Sequence, residues 1–285
     1  MKVFKLKVDE YFRLEKILYG QCFRWKLRED GKYIGVVGNN VIKIWQENND
    51  VYYYAMNNDN IEQFIHKYFD IDTDYKKVIT TIQKNSNNEL LNEIIDYSRG
   101  TRILKQPMFE IVISYIFSAS NNIPRIENSI ERLSQLYGNK LEFENNIYYS
   151  FPTLEQLQNV KDEEYRENIR IGFRAPYVEG TVKDIISGEY NLNDIKNMET
   201  NVARNKLLKL QGVGPKVADC ILLFSMGKKD VFPIDTWIEK VMKKYFGKEN
   251  LTKKQMQELV DSEFGKNKGI INHYMFYWGR ENNIE

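Results

Sequence analysis

Residues 207–220 read Leu-Leu-Lys-Leu-Gln-Gly-Val-Gly-Pro-Lys-Val-Ala-Asp-Cys, and this stretch decides how the rest of the chain is read. A helical run leads into it and ends at Gly212. Gly212-Val213-Gly214 makes a tight hairpin, because glycine takes positive φ at no steric cost. Pro215 then opens a second helix with its φ already set. Two short helices joined this way leave backbone N–H groups pointing outward at a helix N-terminus. That is an anion site, and a DNA phosphate suits it. An ordinary helix–turn–helix corner in a bundle has the same local pattern, so the turn alone leaves both readings open.

Lys216 lies in the first turn of the second helix. A cation there is disfavoured by the positive end of the helix dipole. Such a position favours a free amine, which can attack a sugar C1′ and form a Schiff base. Contact with a phosphate is the other reading of a lysine beside a basic turn. Nineteen residues on comes Phe232-Pro233-Ile234-Asp235-Thr236-Trp237. Asp235 opens a helix and can cap it. Its carboxylate could also stabilise an oxocarbenium-like sugar, or hold the lysine before it loses a proton.

Working outward, the chain has 285 residues, with 41 Lys plus Arg and 40 Asp plus Glu. The length allows one large or two modest domains with ample core. At 42% hydrophobic and 13% aromatic it is not a disordered chain. The longest mainly apolar stretch, Phe109 to Ala119, is too short for the roughly 20 residues of a membrane span. No signal-peptide core is visible in Met1 to Lys7, and two cysteines make no disulfide framework, so a reducing cytoplasm is expected. A net charge of +1 argues at first against nucleic acid. The charge is uneven, however: residues 200–285 carry 15 basic and 10 acidic groups, while residues 101–199 carry 11 and 15. Arg204, Lys206, Lys209 and Lys216 lead into the hairpin with no acid among residues 201–216. A local anionic footprint needs only such a patch.

Residues 3–8, 33–37, 41–45 and 51–55 alternate or are rich in β-branched and aromatic side chains. Gly, Asn and Asp punctuate them as turns do between antiparallel strands. From Ile61 the period becomes helical. Helices are expected over 61–68, 109–120, 126–137, 154–157, 176–186, 202–210, 217–226, 236–246 and 253–264. The Asn-rich stretch 139–146 reads as a spacer. The fold class is therefore α+β: an N-terminal twisted antiparallel β-sheet domain with flanking helices over 1–104, then a helix-rich region over 105–285 with the site in its cleft.

The Gly-Val-Gly-Pro-Lys216 hairpin, the 19-residue gap after it and Pro-Ile-Asp235 resemble the helix-hairpin-helix DNA glycosylase superfamily. The lysine-plus-aspartate pair resembles its bifunctional branch, which removes a damaged base and nicks the abasic site. Further blocks resemble the 8-oxoguanine DNA glycosylases: Gly20-Gln-Cys-Phe-Arg-Trp25, Ser120-Asn-Asn-Ile-Pro-Arg-Ile126, Gly172-Phe-Arg-Ala-Pro-Tyr177, Lys216-Val-Ala-Asp-Cys220 and Gly269-Ile-Ile-Asn-His-Tyr-Met-Phe276. The resemblance spans nearly the whole chain. It implies a nucleophilic Lys216 assisted by Asp235, acting on duplex DNA that contains 8-oxoguanine. It implies that the Gly20 carbonyl accepts from N7–H of the lesion, a donor that guanine lacks. Cys220 and Phe276 would flank the flipped base, and Asn272 would reach its edge. Arg125 and Arg174 would hold the estranged cytosine, Ser120 or Asn121 would fill the vacated stack, and Phe173 would wedge. Gly212 and Gly214 would meet phosphate.

The sequence departs from the family pattern at several of these positions. Asn272 stands where Gln is frequent, Phe173 where the animal form has Tyr, Phe224 where it has Met, and Trp237 where a His is found. Two histidines far apart with no clustered ligands point to no catalytic metal, and no cofactor is expected; the resemblance leaves room for a structural cation held by hairpin carbonyls. A monomer is the simplest expectation. His66 reads as a surface residue, His273 as core or solvent, and Cys22 as a small packed side chain. A lysine-dependent glycosylase for other oxidised bases, and a non-catalytic hairpin DNA-binding module, are the competing readings.

Overall fold

The computed structural model describes residues 2–86 and 88–283. Five strands form one antiparallel sheet: β1 (Phe4–Lys7), β2 (Trp25–Leu27), β3 (Tyr33–Val37), β4 (Asn40–Glu47) and β5 (Asp50–Ala55), in the order β1-β5-β4-β3-β2. A short helix α1 (Leu14–Ile17) lies between β1 and β2. Strand β5 shows why the sheet packs as it does. Val51, Tyr53 and Ala55 alternate onto one face and are buried, as a period of two requires. Against them lie Ile61, Ile65 and Tyr68 of α2 (Ile61–Tyr68). Each such aliphatic side chain stabilises the fold by roughly 1.5–3 kcal/mol.

The next helices were not legible in the sequence: α3 (Tyr75–Asn85) and α4 (Glu89–Ser98). Asp74 and Asn88 cap them, each accepting from a backbone N–H of the first turn. Their apolar residues, Ile79, Leu91, Ile94 and Ile95, join the helical core rather than the sheet's core. The helical core therefore runs across the boundary expected at residue 104, since α3 and α4 pack with the later helices, while the sheet's own core ends at Leu104.

Helix α5 (Met108–Phe117) is buried on every side from Glu110 to Phe117, as its mainly apolar run predicts. Pro107 stands at its N-cap. Helix α6 (Ile123–Tyr137) begins three residues earlier than its periodicity suggests, because Asn122 caps it at the Arg125 N–H, 3.0 Å away. Residues 139–146 are not a spacer. They build most of a hairpin, β6 (Lys140–Phe143) and β7 (Asn146–Tyr149), turned at Glu144 and Asn145, both at positive φ. Such two-residue turns favour Asn-Gly or Asp-Gly, so a glutamate there hid it. Leu141 and Phe143 cover Ile34, Val36 and Val41 on the sheet's outer face.

The remainder is helical: α7 (Leu154–Leu157), α8 (Asp162–Glu164) running into a π-helical turn at Tyr165–Ile169, α9 (Ala175–Ile186), α10 (Leu192–Asn197), α11 (Thr200–Leu207), α12 (Pro215–Phe224), α13 (Thr236–Phe246), α14 (Lys253–Phe264) and α15 (Lys268–Glu281). Helix α12 packs on α5 and α11, and α15 packs on α4 and α13. Among the described residues no helix is long and apolar enough to cross a membrane.

Candidate active site at the helix hairpin

The turn between α11 and α12 is built as the sequence indicates, with one refinement. Gly212 has φ +75°, and a Cβ there would lie 2.7 Å from the Tyr177 Cβ. Glycine is required at this point for both conformation and space. Gly214 is in extended backbone, φ −86°, and caps α12. Nothing lies within 4 Å of where its Cβ would be. The first turn of α12 is therefore open to an incoming anion. The Gln211 carbonyl accepts from Thr181 Oγ1 at 3.1 Å, which ties the turn to α9.

The basic run is weaker than its sequence suggests. Arg204 is paired with the buried Asp219 of α12, Nε to Oδ1 2.6 Å and Nη2 to Oδ2 3.3 Å. That pair braces the hairpin from inside and removes one cation from the footprint. Lys206 lies over the Tyr190 ring at 4.9 Å, and Lys209 is exposed.

Lys216 is half-buried. Its Nζ sits 3.5 Å from Ser118 Oγ and 5.1 Å from the centre of the Tyr115 ring. Ser118 donates its own proton to the Tyr115 carbonyl at 2.7 Å, so its oxygen is left to accept from the lysine. Asp235 caps α13, with Oδ1 accepting from the Ile238 N–H at 2.8 Å. Both side chains line one cleft of about 1080 Å³, somewhat larger than the ~300–1,000 Å³ of a small-molecule pocket. Gly20, Ser120, Asn121, Gly212, Gly214, Cys220, Asn272 and Phe276 line it too. Residues from opposite ends of the chain thus converge on one space.

Gly20 has φ +74°, and a Cβ there would stand 2.5 Å from Phe276 Cε1. The backbone at Gly20 lies directly against that ring. Cys220 is buried, and burial pushes its thiol up to about 12 despite the pull of Lys216. It offers a neutral, polarisable flank. Behind Phe276 the His273 ring stacks parallel, centroids 6.3 Å apart, with Phe224 against its edge at 5.8 Å. Burial pulls His273 down to about 4, so its imidazole is neutral. Its Nε2 lies 3.1 Å from Gln21 Nε2. The Gln21 amide also joins the carbonyls of Ile17 and Arg102 and the N–H of Leu104. The second residue of the Gly20-Gln21 block is therefore the peg for the ring behind Phe276.

A family profile for the N-terminal domain of 8-oxoguanine DNA glycosylase matches residues 5–112. A second, for HhH-GPD superfamily base excision DNA repair proteins, matches residues 113–265. The chain belongs to this superfamily. It is similar to the probable N-glycosylase/DNA lyase of Methanothermobacter thermautotrophicus, 32% identical over 235 residues, 76% of this chain and 74% of that one. It is 28% identical to the N-glycosylase/DNA lyase OGG1 of Arabidopsis thaliana, covering 79% of this chain and 64% of the plant protein. In three dimensions it resembles the Clostridium acetobutylicum 8-oxoguanine glycosylase/lyase solved with double-stranded DNA containing cytosine opposite 8-oxoguanine. There the TM-score is 0.93 and the identity 37%, over 100% of this chain and 99% of that one.

Three of the residues to which the pattern assigns contacts with DNA or the base make hydrogen bonds within the protein. The first is Arg174. It is buried and donates to the carbonyls of Ala119 (Nε, 2.7 Å), Ser120 (2.9 Å) and Ile171 (3.1 Å), bracing the loop after α5. Asn121 turns back to the Phe117 carbonyl at 3.0 Å, which leaves exposed Ser120, at φ +50°, on the loop. Asn272 is buried and donates to the Pro233 carbonyl at 2.8 Å. Arg125 and Phe173 are exposed. Trp237 carries the Arg280 guanidinium 5.0 Å over its ring. Sequence reasoning missed Ser118, Tyr115 and Gln21. Ser118 lies 98 positions from Lys216 inside an apolar run, and nothing local marks it.

Proposed function

We propose that this chain excises 8-oxoguanine from duplex DNA and then cleaves the strand at the abasic sugar. It is a DNA glycosylase with AP lyase activity in base excision repair. One observation carries the reading: Lys216 and Asp235 share a cleft with Gly20, Cys220 and Phe276, and in this reading the last three make the slot that takes a flat base. A plain hairpin DNA binder needs no such cleft beside its lysine.

In this reading the lesion leaves the stack and enters the slot, because its glycosidic bond is out of reach in the duplex. Lys216 Nζ, as the free amine, attacks C1′ while the N9–C1′ bond breaks and the base departs with that electron pair and a proton. The Asp235 carboxylate stabilises positive charge developing on the sugar. The resulting aminal opens to a Schiff base. Loss of a C2′ proton then expels the 3′ phosphate oxygen by β-elimination, and water releases Lys216. The Gly20 carbonyl would accept from N7–H of 8-oxoguanine, which unmodified guanine cannot supply. Ser120 fills the vacated stack, Phe173 wedges beside it, and Arg125 reaches the estranged base. The open N-terminus of α12 at Gly214 takes a backbone phosphate.

The reaction uses no cofactor. A structural cation at the hairpin would take backbone carbonyls as ligands. The Leu210 and Gln211 carbonyls each already accept a hydrogen bond and keep one lone pair. The chain would work in the cytoplasm, on DNA, as a monomer. A panel of duplexes, each with one modified base, tests the substrate. We expect excision of 8-oxoguanine; cleavage at thymine glycol with 8-oxoguanine left intact would contradict it.

A further inference from the structure

The segment that delivers Asp235, from Gly227 to Pro233, has no regular secondary structure. Its position is set by helix α15. The Gly269 N–H donates to the Lys229 carbonyl at 2.8 Å. A Cβ at Gly269 would lie 2.9 Å from that oxygen and 3.1 Å from the Val231 carbonyl. Three residues along, on the same face of α15, Asn272 Nδ2 donates to the Pro233 carbonyl at 2.8 Å. Pro233 has no N–H, so this carbonyl is its only backbone handle. Beyond it stand Ile234 and Asp235. Asn272 is 3% exposed, and the bond is wholly buried. A buried carbonyl left unpaired is costly, so the loop has a strong reason to stay on α15.

We propose that Asn272 is a positioning residue for Asp235. It acts through Pro233, and it serves the sugar chemistry as well as base capture. The same helix carries Phe276 and His273, so slot and carboxylate are built on one support. The proposal rests on the glycosylase and lyase reading above, and it separates from base recognition by a substrate with no base. In a duplex containing a preformed abasic site, a residue that only reads the base has nothing to touch. Asp235 still has a task there, because its carboxylate stabilises the cationic iminium that Lys216 forms at C1′.

The test compares Asn272→Leu and Asn272→Asp with the unaltered protein on two duplexes, one with 8-oxoguanine and one with an abasic site. Leucine keeps the bulk and removes the donor. Aspartate keeps the shape and turns the donor into an acceptor, and it stays interpretable if the leucine variant does not fold. Single-turnover rates at saturating enzyme are measured beside the dissociation constant of each duplex. A misplaced catalytic group costs on the order of 100-fold. We expect both variants to lose roughly 10- to 100-fold in the rate at the abasic site, with the dissociation constant nearly unchanged. A normal rate at the abasic site would overturn the proposal, whether or not 8-oxoguanine excision falls. An unaltered protein inert on both duplexes would instead refute the glycosylase and lyase reading.

Discussion

Asp235 carries two loads, and they can be separated. It caps α13 through the Ile238 N–H, a bond worth about 1 kcal/mol. It also lines the reaction cleft. Asparagine caps a helix as well as aspartate does but carries no charge to stabilise a sugar cation. In Asp235→Asn, thermal stability should change by less than about 0.5 kcal/mol, while single-turnover excision should fall about 100-fold or more. Parallel loss of both, measured by calorimetry and gel kinetics, would return Asp235 to the role of a cap. At this scale the sequence was most informative where chemistry is local. The Lys216 position, the cap at Asp235 and the special backbone at Gly212 are all written in a few adjacent residues. It was least informative where a side chain's partner lies far along the chain. Arg174 reaches carbonyls 54 and 55 positions away, and Asn272 reaches Pro233 across 39. Both arginine donors and amide donors satisfy carbonyls as readily as bases, and only the fold decides between them.

The hairpin shows the same division at the level of an element. Its turn, its helix start and its open N-terminus follow from Gly-Val-Gly-Pro. Its charge did not follow from counting. Arg204 is turned inward to Asp219, and burial raises the Asp219 carboxyl while Arg204 draws it back. Lys209 stays exposed. The two cations should therefore separate in a salt titration of DNA affinity. Lys209→Ala should reduce the magnitude of the slope by about 0.9 with little change in stability. Arg204→Ala should leave the slope nearly intact and destabilise the fold by about 3 kcal/mol, because it strands a buried carboxylate. Equal slopes for Lys209→Ala and the unaltered protein would take Lys209 out of the footprint. The β6–β7 hairpin is the element the sequence hid most completely. Its turn is carried by Glu144-Asn145 at positive φ, where glutamate gives no signal.

Across the whole molecule, sheet and helices are locked by buried polar groups that no local pattern announces. Asp70 is 1% exposed and meets Lys105 and Lys229 at 2.6 Å each. Arg102 donates to five carbonyls around it. Two other buried groups set opposite pH trends. The folded state holds His273 neutral, at about 4 against 6.5 for the free group. Between those values the unfolded chain binds the extra proton, so stability falls as pH drops from 6.5 toward 4. Burial pushes Glu110 up to about 7 from 4.5, with Arg24 opposing. There the folded state binds the extra proton, so stability falls as pH rises from 4.5 to 7. Denaturant titrations should show His273→Asn removing the acid-side loss, up to about 3 kcal/mol, and Glu110→Gln removing the other. An unchanged profile in either variant would contradict the assigned burial effect. The overall α+β plan was legible because sheet and helix periods differ sharply along this chain. The shared core of α3, α4 and α15 was not, because it joins segments nearly 200 positions apart. Every step of the chemistry turns on Lys216 bonding to the sugar as an amine. Borohydride reduction during reaction with an 8-oxoguanine duplex measures this directly. A covalent protein–DNA adduct is predicted with the unaltered chain and none with Lys216→Gln; an adduct that persists in Lys216→Gln, or none from the unaltered chain, would contradict it.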